Sequence, residues 1–155
     1  MDERQSEALG IFYCCGKATH HLLNDGTSYH TWQIEGGSKI LLRFQMLYST
    51  VSDSVFVRSK NTLITRCPKI KRRFYQAFYD EYGSKILPKH IVNASPAVSR
   101  GFVRGAMATR HGTELKLVVH QSVFKDFYTL MKQSSTQFHS ETCDFDNDFF
   151  DVRIQ

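Results

Sequence analysis

The chain has 155 residues and a net charge of +5, and 41% of its residues are hydrophobic and 13% aromatic. This length suits one domain with a sizeable core, and the composition excludes a wholly disordered chain. No apolar run approaches the roughly 20 residues of a membrane-spanning helix, so we expect no membrane partner. The start, Met1-Asp2-Glu3, resembles neither a secretory signal nor a transit peptide. We therefore expect a protein that works where it is made, unless a presequence was removed.

The four cysteines, Cys14, Cys15, Cys67 and Cys143, do not have the spacing of a metal site. Two of them are adjacent, which favours free thiols in a reducing intracellular compartment over disulfides. The seven histidines show neither a zinc-finger nor a metalloprotease spacing. We therefore expect no metal and no cofactor.

The charge is distributed unevenly. Residues 134–155 contain five acids and one arginine, so the rest of the chain is more basic than the total indicates. Between Arg58 and Arg110 there are twelve basic residues and only two acids, Asp80 and Glu81. A field of that sign attracts polyanions such as nucleic acids. The alternative is a basic surface that serves solubility alone.

The first part of the chain predicts a helix, a hairpin and a second helix. Gly10 and Gly16 predict a helix face that lets another backbone approach closely. Strands follow at residues 17–23 and 29–35, because Asn-Asp-Gly at 24–26 is a strong hairpin signal. The second helix starts near residue 38 and has one apolar stripe, formed by Ile40, Leu41, Phe44, Leu47 and Tyr48.

The next segment predicts two strands, at 54–59 and 62–67, and a helix at 68–82. Four cations in the first turns of this helix oppose its dipole, which indicates an anionic partner unless they form a solvated face. The candidate nucleic-acid-binding residues are Arg58, Lys60, Arg66, Lys69, Lys71, Arg72 and Arg73. Tyr29 and Trp32 either stack on bases or pack in the core.

The second half repeats the first in shortened form. After an irregular segment at 86–91, Ser95 and Pro96 are expected to cap and begin a helix that contains Gly105. A strand at 114–120 precedes a helix capped by Ser122, whose stripe repeats the first one at an offset of 83 residues. The glycines are offset by 95, so the second copy has lost 12 residues, about one strand and its turn. We predict a first repeat at about 7–85 and a contracted second repeat at about 95–133.

Residues 134–155 are predicted to be an acidic, extended C-terminal tail outside the domain at 1–133. The polar part has no helical or strand period, whereas Phe150, Val152 and Ile154 alternate with Asp151 and Arg153. This end is expected to dock as an added strand or against a neighbouring protein.

Residues 8–16 and 99–112 both resemble the core-helix motif of the LAGLIDADG homing endonucleases, and Phe-Val-Arg-Gly at 102–105 resembles its usual opening. The Leu-Pro run at 87–91 also resembles the segment that introduces the second motif. This resemblance covers about residues 8–133. It implies an α+β fold of two αββαββα units, with the core helices paired at a pseudo-twofold axis. It also implies a curved antiparallel sheet that lies on nucleic acid.

In that family the last acid of each motif binds a divalent cation that assists phosphodiester hydrolysis. Counted from Gly10, the acid position is Cys15. Counted from Gly105, it is Arg110, or His111 if the spacing shifts by one. None of these is the oxygen ligand that Mg²⁺ prefers. The resemblance therefore implies an inactive member without a metal.

We predict a noncatalytic nucleic-acid-binding protein derived from a homing endonuclease. The expected target is structured RNA, bound either by a component of a ribonucleoprotein, such as a mitochondrial or other organellar ribosome, or by a splicing maturase. Protein neighbours would contact the C-terminal tail. The alternatives are a sequence-specific DNA-binding protein and an endonuclease with relocated metal ligands.

Overall fold

The computed structural model describes residues 1–48, 56–66, 76–143 and 146–155, which form helices and two antiparallel sheets, an α+β fold as predicted. No helix in these ranges is long and apolar enough to cross a bilayer. The helices are α1 (Glu3–Cys15), α2 (Ser38–Tyr48), α3 (Gln76–Phe78), α4 (Lys89–Val92), α5 (Pro96–Ala108) and α6 (Gln121–Gln133). The strands are β1 (Gly16–Leu22), β2 (Ser28–Glu35), β3 (Val57–Ser59), β4 (Thr62–Thr65), β5 (Leu115–His120), β6 (Phe138–Cys143) and β7 (Asp146–Ile154).

The two predicted core helices, α1 and α5, begin with different signals. A capping box begins α1, in which Asp2 accepts from the Gln5 backbone N–H at 2.8 Å and Gln5 accepts in return from Asp2 at 2.9 Å. Helix α5 begins at Pro96, whose ring suits the first turn. Ser95 is the N-cap residue of α5, as predicted, but its side chain makes no cap hydrogen bond.

The first sheet has the strand order β1-β2-β4-β3, and every neighbouring pair is antiparallel. The β1–β2 hairpin forms where it was predicted, and Gly26 supplies the positive φ of its turn. Trp32 and Ile34 on β2 are fully buried, and the Trp32 ring lies 6.0 Å from that of Phe12 on α1. Trp32 is therefore a core residue, and the alternative that it stacks on bases is wrong.

The second sheet has the order β5-β7-β6, which matches β2-β4-β3 of the first. Strand β5, the counterpart of β2, forms an edge of the described sheet, whereas β2 has the further strand β1 beside it in the first sheet. The predicted loss of about one strand is therefore confirmed. However, the second repeat does not end near Gln133, because β6 and β7 supply its last two strands.

Residues 134–155 are thus part of the fold and not a separate tail. Strand β7 pairs with β5 on one side and β6 on the other. Val152 and Ile154 are fully buried, and the ring of Phe150 stacks on Phe124 of α6 at 4.3 Å. The prediction that this end docks as an added strand is confirmed, and the strand is added to the chain's own sheet.

The segment between the repeats differs from the prediction. The cations Lys69, Lys71, Arg72 and Arg73 lie outside the described residues, as does most of the helix predicted at 68–82. The described part of that helix, α3, ends at Phe78 and not at Tyr82. The Asp80 carboxylate accepts from the backbone N–H groups of Tyr82 at 2.9 Å and Ser84 at 2.8 Å, which forms a turn instead of continuing the helix.

Two smaller corrections concern the second repeat. Residues 86–91, predicted to be irregular, run into the short helix α4, where Ile91 is fully buried. The N-cap of α6 is His120 and not Ser122, because the His120 ring accepts from the Ser122 backbone N–H at 3.2 Å.

The predicted stripes of α2 and α6 form much of the core. Leu41, Phe44 and Leu47 are fully buried on α2, and Phe127 and Leu130 are almost fully buried on α6. The core therefore lies between the two sheets and the helices behind them, with α1 and α5 at its centre.

Candidate nucleic-acid interface

The backbones of α1 and α5 approach each other at two glycines. A Cβ added to Gly10 would overlap the carbonyl oxygen of Phe102, and one added to Gly105 would overlap that of Glu7. Only glycine avoids these overlaps, because any side chain would force the helices apart. Gly10 and Gly105 therefore both lie at the contact between the two core helices.

The residues that make these contacts correspond between the two helices at an offset of 95 residues. Gly105 is 95 residues after Gly10, and Phe102 is 95 residues after Glu7. A second pair of contacts has the same offset. Ser6 donates to the Val98 carbonyl at 2.6 Å, and its counterpart Gly101 lies against the carbonyl of Glu3, the counterpart of Val98. The structural counterpart of Cys15 is therefore Arg110 and not His111.

The end of α1 combines two thiols with a lysine. Burial raises the pKa of the Cys14 thiol to about 12 and also raises that of Cys15. The Lys85 ammonium donates to the Phe12 carbonyl at 3.1 Å and to the Gly16 carbonyl. It also lies 5.3 Å from the ring centroid of Phe12. Burial lowers the pKa of Lys85 to about 8.

The end of α5 presents a cation to solvent. Arg110 is exposed, and its guanidinium donates to the Met107 carbonyl at 2.9 Å. Positive side chains thus lie at the C-terminal ends of both core helices, where they complement the helix dipoles.

Neither of the two acid positions, Cys15 and Arg110, carries a carboxylate for a hard divalent cation. Lys85 donates to the Phe12 and Gly16 carbonyls at the end of α1, and Arg110 lies at the end of α5. Within the described ranges, no three His, Cys, Asp or Glu side chains are grouped as a metal site would require. The residues present at these two positions do not fit the metal that the family resemblance implies.

An ion-pair network at the helix seam was not foreseen from the sequence. The Glu7 side chain is 3% exposed and accepts from Arg43 of α2 at 2.8 and 3.0 Å and from Arg104 of α5 at 3.0 Å. Arg104 also binds Glu3 at 2.9 Å. Burial alone would raise the pKa of Glu7, but the hydrogen bonds from both arginines hold it below its ordinary value. The only sequence signal was an acid one helical turn before Gly10.

The outer face of the first sheet, turned away from Trp32, carries rings and polar groups. The ring of His21 stacks on that of Tyr29 at 4.6 Å, and the Arg66 guanidinium lies 5.1 Å from the Tyr29 ring centroid. Lys17 lies on the same face, beside Glu35 at 3.7 Å. This arrangement offers aromatic and cationic surfaces for bases and phosphates.

The described candidate cations do not form one group. Arg66 lies on the outer face, over Tyr29. Arg58 is in register with the buried Leu63 and donates to the Ser38 hydroxyl at 2.7 Å, so it lies at the opposite face. Lys60 is in the turn between β3 and β4, with a φ of 51°.

The outer face of the second sheet carries charge of both signs. Lys116, Arg153 and His139 are cross-strand neighbours, and next to them lie Asp151 and Glu141. Lys116 is also 3.6 Å from Glu114. Asp151 and Glu141 of the C-terminal segment therefore lie on the sheet itself, and among the described residues the outer face of the first sheet is the more basic surface.

No protein-family model and no curated protein matches the sequence. Solved structures do match. The complex of I-DmoI with DNA and Mn superposes with a TM-score of 0.67 at 12% identity, and covers 99% of this chain and 89% of that one.

Two further solved structures match over nearly the whole chain. The homing endonuclease I-WcaI bound to its DNA recognition sequence gives a TM-score of 0.54 at 12% identity, over 99% of this chain and 76% of that one. The LAGLIDADG meganuclease I-AabMI bound to uncleaved DNA gives 0.52 at 7% identity, over 97% and 78%. The chain has the fold of the LAGLIDADG homing endonucleases, a DNA-binding fold in these neighbours.

Proposed function

We propose that this chain binds nucleic acid and does not cleave it. The observation that carries the proposal is the pair of residues at the core-helix ends. The symmetry of the glycine contacts assigns Cys15 and Arg110 to the two positions where the resembling family has metal-binding acids.

Electrostatics supports the absence of metal chemistry. A divalent cation between these ends would meet the Lys85 ammonium and the Arg110 guanidinium, and neither Cys15 nor Arg110 supplies a carboxylate to compensate. The thiols of Cys14 and Cys15 have raised pKa values because they are buried, so they stay protonated near neutral pH. Protonated thiols are not ligands for Mg²⁺.

The outer face of the first sheet is the proposed binding surface. The neighbours I-DmoI, I-WcaI and I-AabMI are all solved with DNA, and this chain has their fold. We infer a structured RNA as the target, because the His21–Tyr29 stack and Arg66 suit unpaired bases, which RNA loops expose. A ribonucleoprotein in a reducing compartment, an organelle included, would also suit the free thiols of Cys14 and Cys15.

Duplex DNA is the second candidate, favoured by the complexes of the solved neighbours. Competition separates the two: a labelled structured RNA bound to the full chain is displaced with unlabelled RNA or duplex DNA at one salt concentration. Preferential displacement by RNA supports the main proposal. Preferential displacement by duplex DNA supports the second candidate. If the chain binds neither RNA nor DNA saturably, both proposals are refuted.

A further inference from the structure

A cleft of about 640 Å³ lies between α2 and the segment that follows α5, apart from the outer faces of the sheets. Helix α2 contributes Lys39, Leu42, Arg43 and Met46, and Arg110 lies across from them. The volume is within the roughly 300–1,000 Å³ of small-molecule sites in proteins.

The α2 side of the cleft is a single helix face. Residues 39, 42, 43 and 46 follow the spacing of one face and lie opposite the buried stripe of α2. Leu42 is 55% exposed and Met46 52% exposed. Two large apolar side chains therefore lie at the surface beside two cations.

The second repeat does not share this face. At the offset of 83 residues that relates the two stripes, the counterparts on α6 are Ser122, Lys125, Asp126 and Thr129. All four are polar or charged, and α6 still packs on its sheet through its own buried stripe. The apolar and cationic face of α2 is thus specific to the first repeat.

The charge of the cleft is positive. Glu7, the one acid among the described lining residues, is already bound by Arg43 and Arg104. Lys39 and Arg110 add two cations, and Arg110 uses one nitrogen for the Met107 carbonyl. An anionic group in the cleft would meet cations from both walls.

We propose that this cleft binds a nucleoside phosphate. The phosphate lies between Lys39 and Arg110, and the flat apolar base lies on Leu42 and Met46. The inference rests on the proposed function, because an unpaired nucleotide of bound RNA is one source of this chemistry. A free nucleotide is the other source.

The test uses NMR spectra of the methionine methyl groups of the full chain. Of its four methionines, Met46 lines the cleft, and Met131, which is 2% exposed, serves as an internal control. Adding a nucleoside monophosphate is expected to shift the Met46 methyl resonance saturably and to leave Met131 in place. The nucleoside alone or inorganic phosphate alone is expected to shift Met46 far less.

Variants separate the two parts of the site. Lys39→Ala is expected to weaken nucleotide binding by about tenfold, the effect of losing one charge-assisted hydrogen bond. Leu42→Asp removes the apolar surface and repels the phosphate, so it is expected to abolish the shift. Lys125→Ala, at the counterpart of Leu42 on α6, is the matched control and is expected to change nothing. Because these side chains are at the surface, the variants are expected to fold.

The outcomes distinguish the cleft from the proposed function. If a short single-stranded RNA and the mononucleotide both shift Met46, the site takes an unpaired nucleotide. If the mononucleotide shifts Met46 while no RNA or DNA binds anywhere, the cleft proposal holds for a free nucleotide and the proposed function fails. If structured RNA binds but neither nucleotide nor oligonucleotide moves Met46, the cleft proposal is overturned. A shift caused by an acidic peptide and not by nucleotides also overturns it.

Discussion

Gly10 and Gly105 make the same contact in opposite directions, since each lies against the carbonyl of the residue three positions before the other. The partner of Gly10 is Phe102, and the partner of Gly105 is Glu7. This reciprocity relates the two core helices by an approximate twofold axis. It also aligns Cys15 with Arg110 independently of the degenerate motif.

Gly10→Leu is expected to lower the free energy of unfolding by about 1–3 kcal/mol or more, because the side chain would overpack the helix seam. Denaturant unfolding measures this change. Gly37→Ala is the control, because no atom lies within 4 Å of a Cβ added at Gly37. A Gly10→Leu variant as stable as this control would contradict the close packing of α1 and α5.

The sequence predicted those features that periodic patterns determine. The glycines, the two apolar stripes and their different offsets predicted the helix pair, the repeat and the lost strand. The hairpin at 24–26 was predicted because Asn-Asp-Gly specifies a turn. Each of these features depends on local residue types alone.

The remaining features depend on tertiary contacts. The segment at 138–143 has polar side chains and no apolar alternation, so only its pairing with β7 reveals β6. The Glu7 network joins three helices, and Lys85 reaches the end of α1 from a turn about 70 residues later in the chain. Such long-range partners leave no spacing signal in the sequence.

Glu7→Gln is expected to lower the free energy of unfolding by about 1–3 kcal/mol, because the buried Glu7 loses its ion pairs while the half-exposed Arg43 and Arg104 keep contact with water. Glu3→Gln, at a side chain that is 40% exposed, is the control and is expected to cost about 1 kcal/mol or less. Equal effects of the two substitutions would show that Glu7 is not the centre of the network.

The Glu7 carboxylate makes the free energy of unfolding depend on pH in the acidic range. Its folded pKa is lowered, so its contribution is complete above the unfolded pKa of about 4.3. The contribution is lost as the pH falls through the lower folded value. Unfolding measured from pH 6 downward is expected to show this loss in the wild type and not in Glu7→Gln.

Lys85 predicts that the free energy of unfolding also rises with pH in alkali. Its folded pKa of about 8 is below the unfolded value of about 10.4, so the unfolded chain binds the extra proton between these values. The free energy of unfolding of the wild type is therefore expected to rise with pH across this window, relative to Lys85→Met. Parallel curves for the two proteins would show that Lys85 is not buried at the end of α1.

Arg66→Ala is expected to weaken nucleic-acid binding and to reduce the salt slope by about one unit, the effect of losing one phosphate contact. Arg58→Ala is expected to have a smaller effect, because Arg58 lies at the opposite face and binds Ser38. Titrations at several salt concentrations measure both. Equal losses of affinity from the two substitutions would indicate that nucleic acid binds at the edge of the sheet and not on its outer face.

Binding without cleavage is tested most directly by a cleavage assay in which the nucleic acid is saturated with protein. The full chain is incubated with Mg²⁺ or Mn²⁺ and with labelled structured RNA or duplex DNA, and complex and products are measured in the same samples. We expect a saturable, salt-dependent complex whose nucleic acid stays intact at every metal concentration. Specific cutting of either strand, or a metal ion bound between Cys15 and Arg110, would contradict it.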